Sequence, residues 1–211
     1  NTLGAKSFPV QIGSSSWTAV SAGGVHTAAI RSDGLLFTWG WNIQGQLGDG
    51  TSAFKIAPVQ IGSSSWTAVS AGGTHTAAIR SDGALFTWGY NIIGQLGDGT
   101  TVTKSSPVQI GTSSWTAVSA GSVHTTAVRL GGSLFTWGRG TNRELGDGTA
   151  ISKSSPVQIG TSNWTTASAG GLHSAAIRSD GALFAWGSNS YGQLGDGTAA
   201  SKNSPILVGD N

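Results

Sequence analysis

The chain has 211 residues, of which only 9% are charged, and its formal net charge is +2. So few dispersed charges cannot form the clustered basic face of nucleic-acid-binding proteins, and we therefore expect no nucleic acid among its partners. Cysteine is absent, which excludes disulfides, thiolate chemistry and thiolate metal sites.

Composition also bears on location. No apolar run approaches the roughly 20 residues that span a bilayer, so we expect no membrane insertion. The low charge and the absence of oxidisable sulfur favour an extracellular or particle-surface location. The chain begins with asparagine rather than methionine, which we interpret as processing or excision from a longer product.

The chain is one unit written four times with a spacing of 49 residues. The prolines, the histidines and two tryptophan series all keep this spacing: Pro9, Pro58, Pro107, Pro156 and Pro205; His26, His75, His124 and His173; Trp17, Trp66, Trp115 and Trp164; Trp39, Trp88, Trp137 and Trp186. Residues that recur in step are expected to be structural, and residues that break step are candidates for function.

Within each unit the chain predicts short strands separated by turns. In the second unit, the first strand is 66–71, the second is 76–80, and Asp82-Gly83 then signals a hairpin to the third strand, 85–89. A glycine-rich excursion, 90–106, leads to a fourth strand that begins with Pro107. No segment has the periodicity of a helix.

Four antiparallel strands per unit, arranged radially, make the blade of an all-β propeller. Small residues of the first strand suit the crowded axis, whereas Ile79, Leu85, Phe86 and Trp88 are expected to fill the space between blades. The predicted blades are 17–62, 66–111, 115–160 and 164–209 of a single domain, with a surplus outer strand at 9–13. Because four blades leave a ring of seven or eight incomplete, we expect self-association or further blades to close it.

The second unit reads Gly-Gly-Thr-His75, then Asp82-Gly-Ala-Leu-Phe-Thr-Trp-Gly89, then Gly94-Gln-Leu-Gly-Asp-Gly99, and this pattern recurs through the chain. It resembles the repeat of the regulator of chromosome condensation family. The resemblance implies a propeller, commonly seven-bladed, that serves as an interaction platform. The name-giving member exchanges nucleotide on the GTPase Ran and binds chromatin; this sequence shows neither its basic tail nor an inserted loop, so we do not expect those activities.

The recurring polar residues suggest structural roles rather than catalysis. Equivalent histidines on adjacent sheets lie too far apart to share a zinc ion, so we interpret them as hydrogen-bonding anchors of the turn before the second strand. One carboxylate per loop is too few for calcium, so we assign Asp49, Asp98, Asp147 and Asp196 to turn capping. Without a nucleophile elbow, a carboxylate pair or a phosphate-binding loop, we expect no enzyme activity, no cofactor and no metal.

The positions that break step lie mainly in the excursion after the third strand. The candidate binding residues are Trp41, Ile43 and Gln44; Tyr90, Ile92 and Ile93; Arg139, Thr141 and Arg143; Ser188, Ser190 and Tyr191. A second variable stretch follows in each unit, at 52–54, 101–103, 150–152 and 199–201. Aromatic residues and arginine are enriched at protein-binding hot spots, and aromatic rings also stack on sugars.

These patterns leave three functions open. The first is a recognition and scaffold module that binds a protein through the excursion loops on one face. The second is a carbohydrate-binding module. The third is an assembly element of a larger surface structure or particle, with the surplus strand as connector. Neutral variation of exposed loops would produce a similar pattern, but several of the substituted residues are large and apolar.

Overall fold

A computed structural model describes residues 7–209, and their regular structure is entirely β-strand. The strands form four antiparallel blades in chain order. The first blade contains β1 (Trp17–Ala22), β2 (His26–Arg31), β3 (Leu35–Gly40) and the start of β4 (Lys55–Ala71); the second contains the rest of β4, β5 (His75–Arg80), β6 (Ala84–Gly89) and the start of β7 (Lys104–Ala120); the third contains the rest of β7, β8 (His124–Arg129), β9 (Leu134–Gly138) and β10 (Lys153–Gln158); the fourth contains β11 (Trp164–Ala169), β12 (His173–Arg178), β13 (Leu183–Gly187) and β14 (Lys202–Leu207). The all-β propeller architecture is thereby confirmed.

Strands β4 and β7 each belong to two blades. The first half of β4 pairs with β3 at the outer edge of the first blade, and its second half pairs with β5 on the inner side of the second blade. Strand β7 repeats this arrangement between the second and third blades. The expected outer and inner strands therefore exist, but at these two boundaries they are one continuous 17-residue strand.

The recurring proline lies within the outer strand rather than at its start. Strand β7 begins three residues before Pro107, and the pairing register shifts between Gly89↔Lys104 and Thr87↔Val108. A proline has no N–H to donate, and a bulge is a place where a sheet tolerates that loss.

The surplus outer strand expected at 9–13 is absent from the described residues. The outer edge of the fourth blade is occupied by β14, which pairs with β13. Segment 9–13 forms no strand, and the side chains of Phe8, Val10 and Ile12 are exposed. The outer edge of the fourth blade is thus filled by the strand that follows β13 along the chain.

The core lies between blades. Ile30 and Leu36 of the first blade pack with Trp66 and Trp88 of the second. The same arrangement recurs at the next boundary, where Ile79 and Leu85 are buried against the third blade, as the sequence predicts. Each blade is therefore stabilised mainly by burial of apolar surface against its neighbours.

Small residues surround the axis of the propeller. The inner strands of all four blades end on a cavity of about 200 Å³ that is lined by alanine, glycine and serine. A Cβ on Gly72 would lie 2.5 Å from the carbonyl oxygen of Gly121 in the next blade, which explains why glycine is needed there.

Among residues 7–209 there is no helix of the length and apolarity that a membrane span requires.

Candidate binding face

The four excursions leave the same edge of the molecule. The first residue of each donates its backbone N–H to the turn that joins the first two strands of its own blade: Trp41 to Val25, Tyr90 to Thr74, Arg139 to Val123 and Ser188 to Leu172. We call the surface formed by loops 41–54, 90–103, 139–152 and 188–201 the excursion face. The candidate residues thus lie on one face of the propeller rather than on opposite faces.

A buried asparagine holds each of three excursions together. The side-chain amide of Asn42 donates to Asp49 Oδ1 and to the carbonyl oxygens of Thr51 and Ala53, while its Oδ1 accepts the N–H of Leu47. Asn91 and Asn189 make equivalent bonds in the second and fourth units. These bonds tie the two variable stretches of an excursion to each other, and the sequence analysis did not single out these asparagines.

The recurring aspartates accept hydrogen bonds from their own turns. Oδ1 of Asp49 accepts hydrogen bonds from the N–H and the hydroxyl of Thr51, and its other oxygen pairs with Lys55 at 3.2 Å. Burial by itself would raise the pKa of this carboxyl, but the hydrogen bonds from Thr51, Lys55 and Asn42 outweigh it and hold the pKa below its usual range. The Asp49 carboxylate is therefore occupied by hydrogen bonds and an ion pair with residues of its own unit.

The candidate residues differ in how far they reach into solvent. The third position of each excursion is exposed in all four units: Ile43, Ile92, Thr141 and Ser190. Tyr191 is 95% exposed and Trp41 51%. Gln44, Tyr90, Ile93 and Ser188 are half-buried, so their side chains offer only part of their surface to a ligand.

Arg139 departs from its predicted role as a loop tip. Its Nε donates a 2.6 Å hydrogen bond to Glu144, whose side chain is fully buried and stands where the other units have glutamine. The other carboxylate oxygen of Glu144 accepts the N–H of Asn142. Two out-of-step residues of the third unit thus form an ion pair within their own loop.

Arg143 occupies the position of Gly45 and Gly94 with an exposed side chain. Its φ of 67° lies in the left-handed region, and no other non-glycine residue among those described has a positive φ. Such a conformation costs a side-chain-bearing residue on the order of 1 kcal/mol. The loop frame imposes this backbone geometry whichever residue stands there.

The histidines hydrogen-bond across blade boundaries rather than anchoring their own turn. Nε2 of His26, His75 and His124 lies 2.8, 2.9 and 2.9 Å from the hydroxyl oxygen of Thr76, Thr125 and Ser174 in the following blade. Each of those hydroxyls donates to a backbone carbonyl of the preceding blade, so it accepts from a protonated Nε2. Burial lowers the pKa of His26 to about 4 and those of His75 and His124 to about 3.

The second tryptophan series shares this network. The indole N–H of Trp88 donates to the same Gln46 carbonyl that accepts the Thr76 hydroxyl, and Trp137 and Trp186 repeat the bond to Gln95 and Glu144. The excursion of one blade is thereby fastened to the body of the next.

Within residues 7–209, no cluster of three or more histidine, aspartate or glutamate side chains has the geometry of a metal site.

Comparison with known proteins agrees with this architecture. The family model described as RCC1-like domain matches residues 2–211. The chain is similar to the crystal structure of human WBSCR16, with a TM-score of 0.86, 25% identity, and coverage of 96% of this chain and 55% of that one. It is also similar to Prp20p from Saccharomyces cerevisiae, with a TM-score of 0.82, 22% identity, and coverage of 95% and 52%.

A further structure, of yeast RCC1 (Prp20) with Kap60 bound, gives a TM-score of 0.82 at 20% identity, with coverage of 95% of this chain and 50% of that one. The chain thus spans about half the length of each of these three structures. No curated protein sequence matches it at a significant level.

Proposed function

Because the chain belongs to the RCC1-like domain family, we propose that it is a non-enzymatic recognition module that binds a protein partner through the excursion face. The observation that carries this proposal is the set of large apolar side chains exposed on that face. Ile43, Ile92, Val102 and Ile151 are 54–63% exposed, and Tyr191 is almost fully exposed. Apolar groups gathered on one face of a rigid scaffold are typical of a protein-binding surface.

The recurring histidines and aspartates support a role without catalysis. The described histidines of the first three blades are held in hydrogen bonds between blades, and the loop aspartates cap turns and pair with lysine. Groups committed in this way are poorly placed to move protons on a substrate. The similar structures also favour a protein partner, since Prp20p was described with its binding to Gsp1p and histones.

The partner expected here is a protein segment with apolar side chains rather than an acidic one. Arg139 is paired with Glu144, and Lys55, Lys104, Lys153 and Lys202 each lie beside a loop aspartate. Within the described loops, Arg143 alone carries a positive charge without an acidic partner, so the excursion face offers little positive charge to attract acidic groups.

Selection of binders from a displayed peptide library tests the proposal. Peptides selected on the intact protein should lose binding at least tenfold to the double variant Ile92→Glu and Val102→Glu. The matched control is Leu130→Glu, which changes a residue that is 72% exposed at a β8–β9 turn, away from the excursions. Selected peptides that respond only to the control variant would contradict the proposal, and specific signals on a glycan array would favour the carbohydrate alternative.

A further inference from the structure

The two end blades carry uncovered surfaces that match each other. In the interior, Ile30, Ile79 and Val128 are at most 2% exposed, and Leu36, Leu85 and Leu134 are fully buried against the following blade. Their equivalents in the fourth blade, Ile177 and Leu183, are 38% and 42% exposed. The apolar side of the fourth blade thus has the composition of an interior boundary, and no blade within residues 7–209 covers it.

The first blade has the complementary surface. A groove of about 670 Å³ lies on it, lined mostly by apolar residues that include Val25, Trp39 and Ile56. At the interior boundaries the same place is covered by the excursion of the preceding blade: Gly45 packs against Ser105, and a Cβ on Gly48 would lie 2.6 Å from the indole of Trp88. Correspondingly, Trp88, Trp137 and Trp186 are fully buried, whereas Trp39 is half-buried.

The polar groups of the two surfaces also correspond. At every interior boundary a histidine meets a hydroxyl of the next blade, and a carbonyl of the excursion accepts from that hydroxyl and from a tryptophan. Among residues 7–209, His173 Nε2 and the Gln193 carbonyl in the fourth blade make none of these bonds. The matching groups, the Thr27 hydroxyl and the Trp39 indole, stand on the first blade.

The inner strands of the first and fourth blades also carry hydrogen-bonding groups that match each other. The serine hydroxyls of Ser21, Ser70 and Ser119 each accept the N–H of an alanine in the next blade, Ala71, Ala120 and Ala169. Within the described chain, Ser168 meets no such alanine, and Ala22 meets no such serine. The pair that would continue the series is therefore Ser168 with Ala22.

We infer that a second copy of the chain covers these surfaces head to tail, with the fourth blade of each copy against the first blade of the other, closing a ring of eight blades. Repeat arrays that end in solvent normally carry polar outer faces on their terminal repeats. Here the first and fourth blades keep the apolar and hydrogen-bonding residues of an interior boundary on their uncovered sides, which fits another unit of the same repeat as the occupant. Eight blades lie within the range that propellers use.

The absence of cysteine from the chain permits a direct test by disulfide trapping. One chain carries Ser168→Cys and the other Ala22→Cys, and the two are mixed and oxidised under mild conditions. The internal control is the double variant Ser119→Cys and Ala169→Cys, whose hydroxyl and amide nitrogen are 3.0 Å apart in the native chain. This control establishes whether the geometry of the repeat allows a disulfide.

The expected result is a covalent dimer in the mixture only, together with a native mass in solution of twice 21.2 kDa. Leu183→Glu should reduce that mass to a single chain, whereas Leu130→Glu should leave it unchanged. A single-chain native mass, or no cross-link in the mixture when the internal control oxidises fully, would overturn the inference. So would cross-linking of Ser168→Cys with itself, or a mass that rises without limit as concentration increases.

Discussion

Arg139 and Glu144 form an ion pair in which the arginine Nε and the glutamate Oε1 are 2.6 Å apart, and the glutamate side chain is completely buried. Removing the arginine would leave a buried carboxylate without its partner. We expect Arg139→Ala to lower the free energy of unfolding by about 3 kcal/mol, measured by denaturant titration.

The fourth unit supplies the control for this prediction. It carries Ser188 and Gln193 at the equivalent positions. The double variant Arg139→Ser with Glu144→Gln should therefore regain nearly all of the lost stability. If the double variant is as unstable as Arg139→Ala, the arginine stabilises the fold by some route other than Glu144.

Thr125 is expected to be essential for stability through its hydroxyl rather than its shape. That hydroxyl accepts from His75 and donates to the Gln95 carbonyl, and all of these groups are buried. Thr125→Val should cost about 2 kcal/mol because His75 loses its acceptor. Thr125→Ser copies Ser174 of the fourth blade and should cost under about 1 kcal/mol. Equal losses in the two variants would point to the methyl group instead.

Stability should fall as the pH drops from 6.5 towards 4. The folded protein keeps its buried histidines neutral, with pKa values of about 3 to 4, whereas the unfolded chain binds protons near the ordinary histidine value of 6.5. Protons therefore favour the unfolded state across this window. The loss approaches about 1.4 kcal/mol per pH unit for each histidine.

Denaturant titrations at pH 7, 6, 5 and 4.5 would measure this slope. His75→Gln keeps a donor without a titrating group and should reduce the slope between pH 6 and 4.5 by about one histidine's share. An unchanged slope in that variant would show that His75 does not contribute. The loop aspartates act at lower pH, because the pKa values of Asp49 and Asp98 are held below the usual range.

We expect an added side chain to destabilise the protein more at Gly97 than at Gly111, because only Gly97 lies against a neighbouring side chain. A Cβ on Gly97 would lie 2.6 Å from the Trp137 indole nitrogen, and its φ is +77°. Gly111 has a φ of +61° but nothing within 4 Å of the added Cβ. We expect Gly111→Ala to cost about 1 kcal/mol and Gly97→Ala about 3 kcal/mol in thermal or denaturant unfolding. Similar losses would mean that backbone strain alone decides both.

The 49-residue period was sufficient to predict the blades, their strand order and the residues packed between them. Ile79, Leu85 and Trp88 alternate along short strands, and local patterning of this kind determines which side of a strand is buried. The fusion of outer and inner strands in β4 was not foreseeable, because Gly62 and the serines after it have the composition of a turn. Only the position of the next blade determines that the backbone continues as a strand.

The candidate face was predictable in part. Departure from the repeat pointed to the excursions, where Ile92 and Tyr191 are exposed; that these residues bind a partner stays a prediction. The same rule did not predict that Arg139 pairs with Glu144, because this ion pair depends on contact within a folded loop. A signal was nevertheless present, since both residues break step in the same unit and have opposite charge. The histidine bonds join residues 50 positions apart, which local reading of one unit could not connect.

The shared strands β4 and β7 have a mechanical consequence. Each of these strands runs without interruption from the outer edge of one blade to the inner side of the next. The connection between the two blades therefore contains no flexible loop. Tension applied to the two chain ends should therefore act on the hydrogen bonds between paired strands. We expect the blades to unfold one after another rather than to move apart as intact units.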